Sequence, residues 1–114
     1  MEIENCRFDN AIIGDGCQID EDVTLGYRFH SECGPARIGK QCVLRKGTVI
    51  YADVTIGDHF LGSHYIVVRA RVRMGDFCAM GNQSAIEGIV RMGTGVRIMS
   101  HTYIPSRTWI GDHV

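Results

Sequence analysis

The stretch "MGDFCAMGNQSAIEGIVRMGTGVRIM", Met74 to Met99, brings back an aliphatic residue or methionine every six positions: Met74, Met80, Ile86, Met92 and Ile98. A step of six fits neither the helical period of about 3.6 nor the two-residue alternation of a simple strand. Followed in both directions, the column runs Ile38, Leu44, Ile50, Ile56, Gly62, Val68, Met74, Met80, Ile86, Met92, Ile98, Ile104 and Ile110, and only Gly62 breaks it. Chance at 45% hydrophobic content would fill about six of those thirteen places, so the column is a structural signal. A second column lies four places later: Cys42, Thr48, Val54, Phe60, Ile66, Val72, Cys78, Ser84, Val90, Val96, Thr102, Thr108 and Val114, with no charged member. The N-terminal part repeats both columns, at Ile13, Ile19 and Leu25 and at Cys17, Val23 and Phe29. From Leu25 to Ile38 the step is thirteen, two hexads plus one, so "GYRFHSECGPAR" (residues 26–37) is expected to bulge as a small corner loop.

A longer period sits on the six. Glycine follows the aliphatic residue at Gly39, Gly57, Gly75, Gly93 and Gly111, eighteen apart each time, so three hexads make one turn. The physical picture is a triangular prism in which each hexad is a short strand plus a corner. Two side chains per hexad point inwards, and Gly, Asp and Asn are expected to supply the unusual backbone angles of the corners. One turn cannot bury its own inner face, so turns stack by parallel pairing at ~4.8 Å into a solenoid. The expectation is a single all-β domain over residues 1–114, a parallel β-helix of about six coils from Phe8 to Val114, with little or no helix.

Composition narrows the function classes. A net charge of -1 gives no global drive towards nucleic acid or an acidic membrane. No apolar run approaches the ~18 residues of a membrane span, and the N-terminal "MEIENCRFDN" is too polar for a signal peptide. Five cysteines without a CxxC pair read as reduced thiols in a cytoplasmic protein. Cys17, Cys42 and Cys78 fall in the inward columns and read as small apolar filling.

The segment "IGDHFLGSHYIVVRARVRMGDFCAMGNQSAIEGIVRMGTGVRIMSHTYIPSRTWIGDHV", Ile56 to Val114, resembles the hexapeptide-repeat, or isoleucine-patch, acyltransferases. Among these it is most similar to bacterial acetyltransferases acting on amino sugars or sugar nucleotides in surface-polysaccharide pathways. The resemblance implies a left-handed coil, an exception to the right-handed crossover rule. It also implies a homotrimer with active sites in clefts between neighbouring prisms, and acetyl-CoA as cosubstrate.

Among the five histidines, His59 and His113 take the corner slot after Ile-Gly-Asp and read as turn residues, and His30 reads as a solvated loop residue. His64 differs. It follows Leu61-Gly62-Ser63, where Gly62 leaves the backbone free to deviate. In the resembling enzymes a Gly-His pair stands here before an aliphatic strand ending in Arg; in this chain Ser63 replaces that glycine, and Tyr65-Ile66-Val67-Val68-Arg69 follows His64. Acetyl transfer from a thioester needs a general base for the acceptor's proton, and histidine suits that task near neutral pH. The resemblance therefore makes His64 the candidate base; the alternative is an exposed strand residue with no role.

The eighteen-residue step puts Asn82 one coil above His64 and Ser100 two above, beside a second column of Tyr65, Gln83 and His101. These polar groups have the donors and acceptors a sugar requires, with Asn82 and His101 as positioning groups. They would equally serve as a polar trimer interface. Arg69, Arg71 and Arg73 read as alternating along one strand, with Arg91 stacked on Arg73. They suit the phosphates of CoA or a nucleotide sugar, or form a solvated basic face.

Some hexapeptide proteins are γ-class carbonic anhydrases, with three histidines holding zinc between subunits. His59 and His64 share that family's five-residue spacing, but Asp58 shifts the pair by one place and no histidine lies near Val23, so no metal is expected. The resembling enzymes continue past the segment that ends at Val114, so further coils and a cap are expected to be missing here. An open last coil invites association, so a trimer, or two trimers stacked through their C-terminal ends, is expected. A trimeric β-helix module without catalysis thus stands beside the acyltransferase.

Overall fold

The computed structural model describes residue 8 and residues 10–114. Most of the polar N-terminal decapeptide lies outside the described residues. The chain is a parallel β-helix of short strands wound around three faces, with no helix among the described residues. Six strands build the first face: Ala11–Ile13, Ala36–Ile38, Thr55–Ile56, Val72–Met74, Val90–Met92 and Trp109–Ile110. Five build the second, from Gln18–Ile19 up to Arg97–Ile98, and five the third, from Thr24–Tyr27 up to Tyr103–Ile104. Pairing is parallel throughout and mostly eighteen residues apart, as in Val72 beside Val90 and Met80 beside Ile98.

Both inward columns are buried over the middle coils, as their spacing requires, and are part-exposed towards both ends. From Cys42 to Val96 every member of the second column is buried, Thr48 and Ser84 included. Those two hydroxyls are satisfied inside the corners: Thr48 Oγ1 donates to the Arg45 carbonyl at 2.8 Å and Ser84 Oγ to the Met99 carbonyl at 2.7 Å. Each buried aliphatic side chain contributes roughly 1.5–3 kcal/mol relative to exposure, and stacking repeats that contribution coil after coil.

Gly62, the one gap in the first column, is a packing device. Its strand pairs in register with Leu44 below and Met80 above, so the backbone does not deviate as the sequence suggested. A Cβ there would stand 2.8 Å from the Phe60 ring and 3.0 Å from Ile66 Cδ1. Phe60, the largest fully buried side chain, occupies the volume Gly62 leaves. Gly62→Val should therefore destabilise the fold by ~1–3 kcal/mol through overpacking. The double variant with Phe60→Leu should recover part of the loss in thermal melts, and strictly additive effects would show that the two residues do not share that space.

The corners correct another expectation. The recurring Gly39, Gly57 and Gly75 do not carry the left-handed backbone. That falls two residues later, at Gln41, His59, Phe77, Gly95 and His113, all with φ between 57° and 72°. The glycines are there for close approach: a Cβ on Gly39, Gly57 or Gly75 would lie 2.5–2.9 Å from the carbonyl of the glycine stacked next to it. Beside them runs a side-chain ladder. Asp58, Asp76 and Asp112 each accept, at 2.8–2.9 Å, the backbone N–H of the residue eighteen places earlier.

The insertion is narrower than the sequence implied. The third-face strand runs through Tyr27, with a bulge between Leu25 and Tyr27, and the next first-face strand starts at Ala36, leaving residues 28–35 irregular. Buried Asn10 closes the loop's base, donating from Nδ2 to the carbonyls of Gly26 and Gly34 at 3.2 Å each. Phe29 from the loop stacks over Tyr51, which also packs against Tyr27. Among the described residues no helix is long and apolar enough to cross a membrane.

Candidate functional site

His64 stands on the second corner, between the second and third faces. Its column in the coil stack is Lys46, His64, Asn82 and Ser100, and the adjoining column is Gly47, Tyr65, Gln83 and His101. The grouping expected from the eighteen-residue step is therefore present. All six predicted residues, His64, Tyr65, Asn82, Gln83, Ser100 and His101, are exposed on this edge. Their conformations, however, are those of a corner. Tyr65, Gln83 and His101 have φ of 58–60°, so His101 is a turn residue of the same kind as His59 and His113.

Two of the predicted positioning groups are engaged by the solenoid itself. Asn82 Oδ1 accepts the backbone N–H of His64 at 3.0 Å, and Ser100 Oγ accepts that of Asn82 at 3.1 Å. This repeats the aspartate ladder of the first corner. Its consequence is to fix the backbone under His64 while leaving the Asn82 amide nitrogen and the His64 imidazole without hydrogen-bond partners among the described residues. The Tyr65 ring folds over Gly47, where a Cβ would collide with it, and stands 6.4 Å from the His64 ring. His101 lies two coils beyond His64, ~10 Å away.

One member of the site escaped sequence reading. Lys46, eighteen residues before His64, is one coil below it and holds Glu21 at 3.4 Å. The hydrogen bond and charge of Glu21 push the Lys46 pKa up, and the amine stays a cation. The same step that led up from His64 to Asn82 leads down to it.

The arginines depart from expectation. Arg69, Arg71 and Arg73 do not lie along one strand: Arg69 follows the Val67–Val68 strand, Arg71 is a corner residue with φ 62°, and only Arg73 is in the Val72–Met74 strand. Arg71 shares one groove with Arg69 and another with Arg73, and stands between them at the corner. Arg69 donates to both Glu87 carboxylate oxygens at 3.2–3.3 Å and lies over the Tyr51 ring. Arg73 is in register with Arg91, as expected.

His59 lies on the first corner, stacked flat on Phe77 at 4.7 Å, and His64 on the second. Among the described residues no group of three or more His, Cys, Asp or Glu is placed to hold a metal ion. Burial pushes the Cys42 thiol up to about 11 and the Cys78 thiol upwards too, which holds both in the un-ionised form that suits a packing role.

The outward columns beside the second corner are apolar over their middle coils, with Gln18 and Arg97 at the ends of one and Thr24 at the start of the other. Val43, Leu61 and Ala79 line the second face, and Val49, Val67, Ala85 and Tyr103 the third. Comparison of the chain with known protein families and with characterised proteins returns no match.

Proposed function

We propose that this chain is an acyl-CoA-dependent acyltransferase of the hexapeptide-repeat type, transferring an acetyl group to an amine or hydroxyl of a sugar or sugar nucleotide. The observation that carries the reading is His64: an exposed imidazole with no hydrogen bond of its own among the described residues, on a backbone fixed by Asn82. A group so held is free to take a proton from a substrate. The acceptor's nitrogen or oxygen attacks the thioester carbonyl carbon, its proton passes to His64, the C–S bond breaks, and the proton leaves with the thiol. No acyl-enzyme is needed, in keeping with the buried, un-ionised Cys42 and Cys78.

A corner is a convex ridge and cannot enclose a substrate alone. A homotrimer would place a neighbour's face against it, and the apolar columns on both sides of His64 give such a contact its driving force. The free cysteines fit a cytoplasmic location. A second reading, a trimeric module without catalysis, is favoured by one observation: Asn82 and Ser100 are used as ladder residues just as Asp58 and Asp76 are at a corner with no candidate chemistry.

Sedimentation at micromolar concentration, coupled to thiol release from acetyl-CoA over a panel of amino-sugar nucleotides, tests both. The expected result is a trimer, or a pair of trimers, that releases thiol only when an acceptor is present. A trimer with no turnover and no thermal shift from acetyl-CoA supports the module instead. A monomer removes both readings.

A further inference from the structure

We infer that Cys17 and Cys42 form a redox-sensitive pair, which a hydroperoxide closes into a disulfide between neighbouring coils. Gln18 and Ile19 lie in register with Val43 and Leu44, and the Gln18 N–H donates to the Cys42 carbonyl at 2.8 Å. Cys17 and Cys42 are therefore lateral neighbours in the second inward column, ~4.8 Å apart at Cα, inside the ~4.4–6.8 Å that a disulfide spans. Both thiols turn to one acceptor: Cys17 Sγ donates to the Gly39 carbonyl at 3.2 Å and Cys42 Sγ at 3.5 Å. Two sulfurs on the same oxygen are a side-chain rotation away from bonding each other. Burial pushes the Cys42 thiol up to about 11, and the charge and hydrogen bond of Cys17 add to that rise, a sign that the two side chains are in contact.

The eighteen-residue step hides this pair. Cys17 and Cys42 stand 25 residues apart, because the irregular segment 28–35 lengthens the coil between them. Among the described residues no other cysteine stacks on a second thiol. Cys78, in the same column, lies between Phe60 and Val96, and Cys33 bonds the His30 carbonyl within the loop at 2.9 Å. The settings of Cys17 and Cys42 also set the order of reaction. Cys17 is part-exposed and lines an open cavity of about 540 Å³ with Phe8, Ala11, Ile13 and Ile19, whereas Cys42 is buried. Cys17 meets the oxidant first. Its thiolate attacks one oxygen of the hydroperoxide, the O–O bond breaks, and an alcohol, or water from hydrogen peroxide, leaves behind a sulfenic acid. The Cys42 sulfur attacks the Cys17 sulfur, the S–O bond breaks, and the departing hydroxide takes the Cys42 proton and leaves as water. Two thiols and one hydroperoxide thus give one disulfide, one alcohol and one water. The bond closes residues 17–42 into a ring that contains the irregular segment, and so limits how far the coil bearing Cys17 can open.

The inference does not rest on acyl transfer, and its test needs no turnover. The reduced chain is treated with a slight excess of hydrogen peroxide, alkylated, and digested with trypsin without reductant. Cys17, Cys33, Cys42 and Cys78 fall in four different tryptic peptides. Mass spectrometry should find the Cys17 peptide joined to the Cys42 peptide, and dithiothreitol should separate them. Oxidation should raise the melting temperature by roughly 5 °C or more. Cys33→Ser should keep that rise and Cys17→Ala should lose it. Should Cys17→Ala fail to fold, the peptide map of the unaltered chain carries the test. A Cys17 that stays a free thiol overturns the pair, as does one driven to sulfinic acid without linking or one joined to any other cysteine. A Cys17–Cys42 bond made between two molecules, seen as a dimer on a non-reducing gel, overturns it equally.

Discussion

Val72→Asp should yield an insoluble or unfolded chain. Val72 is fully buried, in register with Val90, and belongs to the stacked column that includes Val54. A carboxylate there would be stacked between Val54 and Val90 in the turns on either side, and neither side chain offers a donor to satisfy it. An unpaired buried charge costs several kcal/mol, a large part of the ~5–15 kcal/mol that holds a domain of this size together. Arg91→Asp, on the strand stacked next to it, supplies the control. Arg91 points outwards between buried Val90 and Met92, so the same carboxylate there should leave the chain folded, within about 1 kcal/mol of wild type. Circular-dichroism melts of the soluble fractions decide between them. A soluble Val72→Asp chain with an unchanged melting temperature would mean that the inward columns have been assigned to the wrong residues.

That contrast marks what a hexad makes legible. A column of buried side chains repeats coil after coil, so its period survives an occasional exception such as Gly62, and both inward columns could be followed almost the whole length of the chain. The corner positions are as periodic, but the residues filling them are not alike. Gln41, His59, Phe77 and Gly95 share one backbone conformation and little chemistry. His59 was readable as a corner residue from the Ile-Gly-Asp before it. His101 was not, because Met99 and Ser100 precede it and give no such signal. The arginines were misread for a related reason. Strict alternation at Arg69, Arg71 and Arg73 looks like a strand, yet the six-residue period puts a corner at Arg71, and here the longer period wins over the shorter. The role of the recurring glycines was hidden because close stacking and unusual φ select the same residue, and only the coordinates separate them.

The ladder residues hold a further lesson about this edge. Asn82 and Ser100 looked available because each has a polar side chain on an exposed corner. Their oxygens are already used in satisfying backbone N–H groups that the tight turn leaves without a strand partner. What the solenoid does not use is the imidazole of His64, the Asn82 amide nitrogen, and the side chains of Gln83 and His101. Of these only the two imidazoles can carry a proton to and from a substrate near neutral pH.

If the chain transfers acetyl groups, His64→Ala should lower kcat by ~10²–10⁴, the usual worth of a general base. Affinity for acetyl-CoA should hardly change, since the base meets the acceptor and not the nucleotide. The variant should fold normally: the ladder bond from Asn82 is accepted from the backbone N–H of residue 64, which alanine keeps. A loss of activity therefore would not be a loss of structure, and an unchanged melting temperature would confirm it. Asn82→Ala should behave differently. It removes the ladder acceptor, so it should lower both the melting temperature and kcat, the second by loosening the backbone that presents His64. His101→Ala lies two coils away and should mainly raise KM for the acceptor. Steady-state kinetics of the three variants against the amino-sugar nucleotide panel separates the roles. An inactive His101→Ala beside a near-wild-type His64→Ala would reverse the assignment. Such a reversal would also be structurally informative, because His101 could then act only by meeting a substrate held ~10 Å further along the ridge.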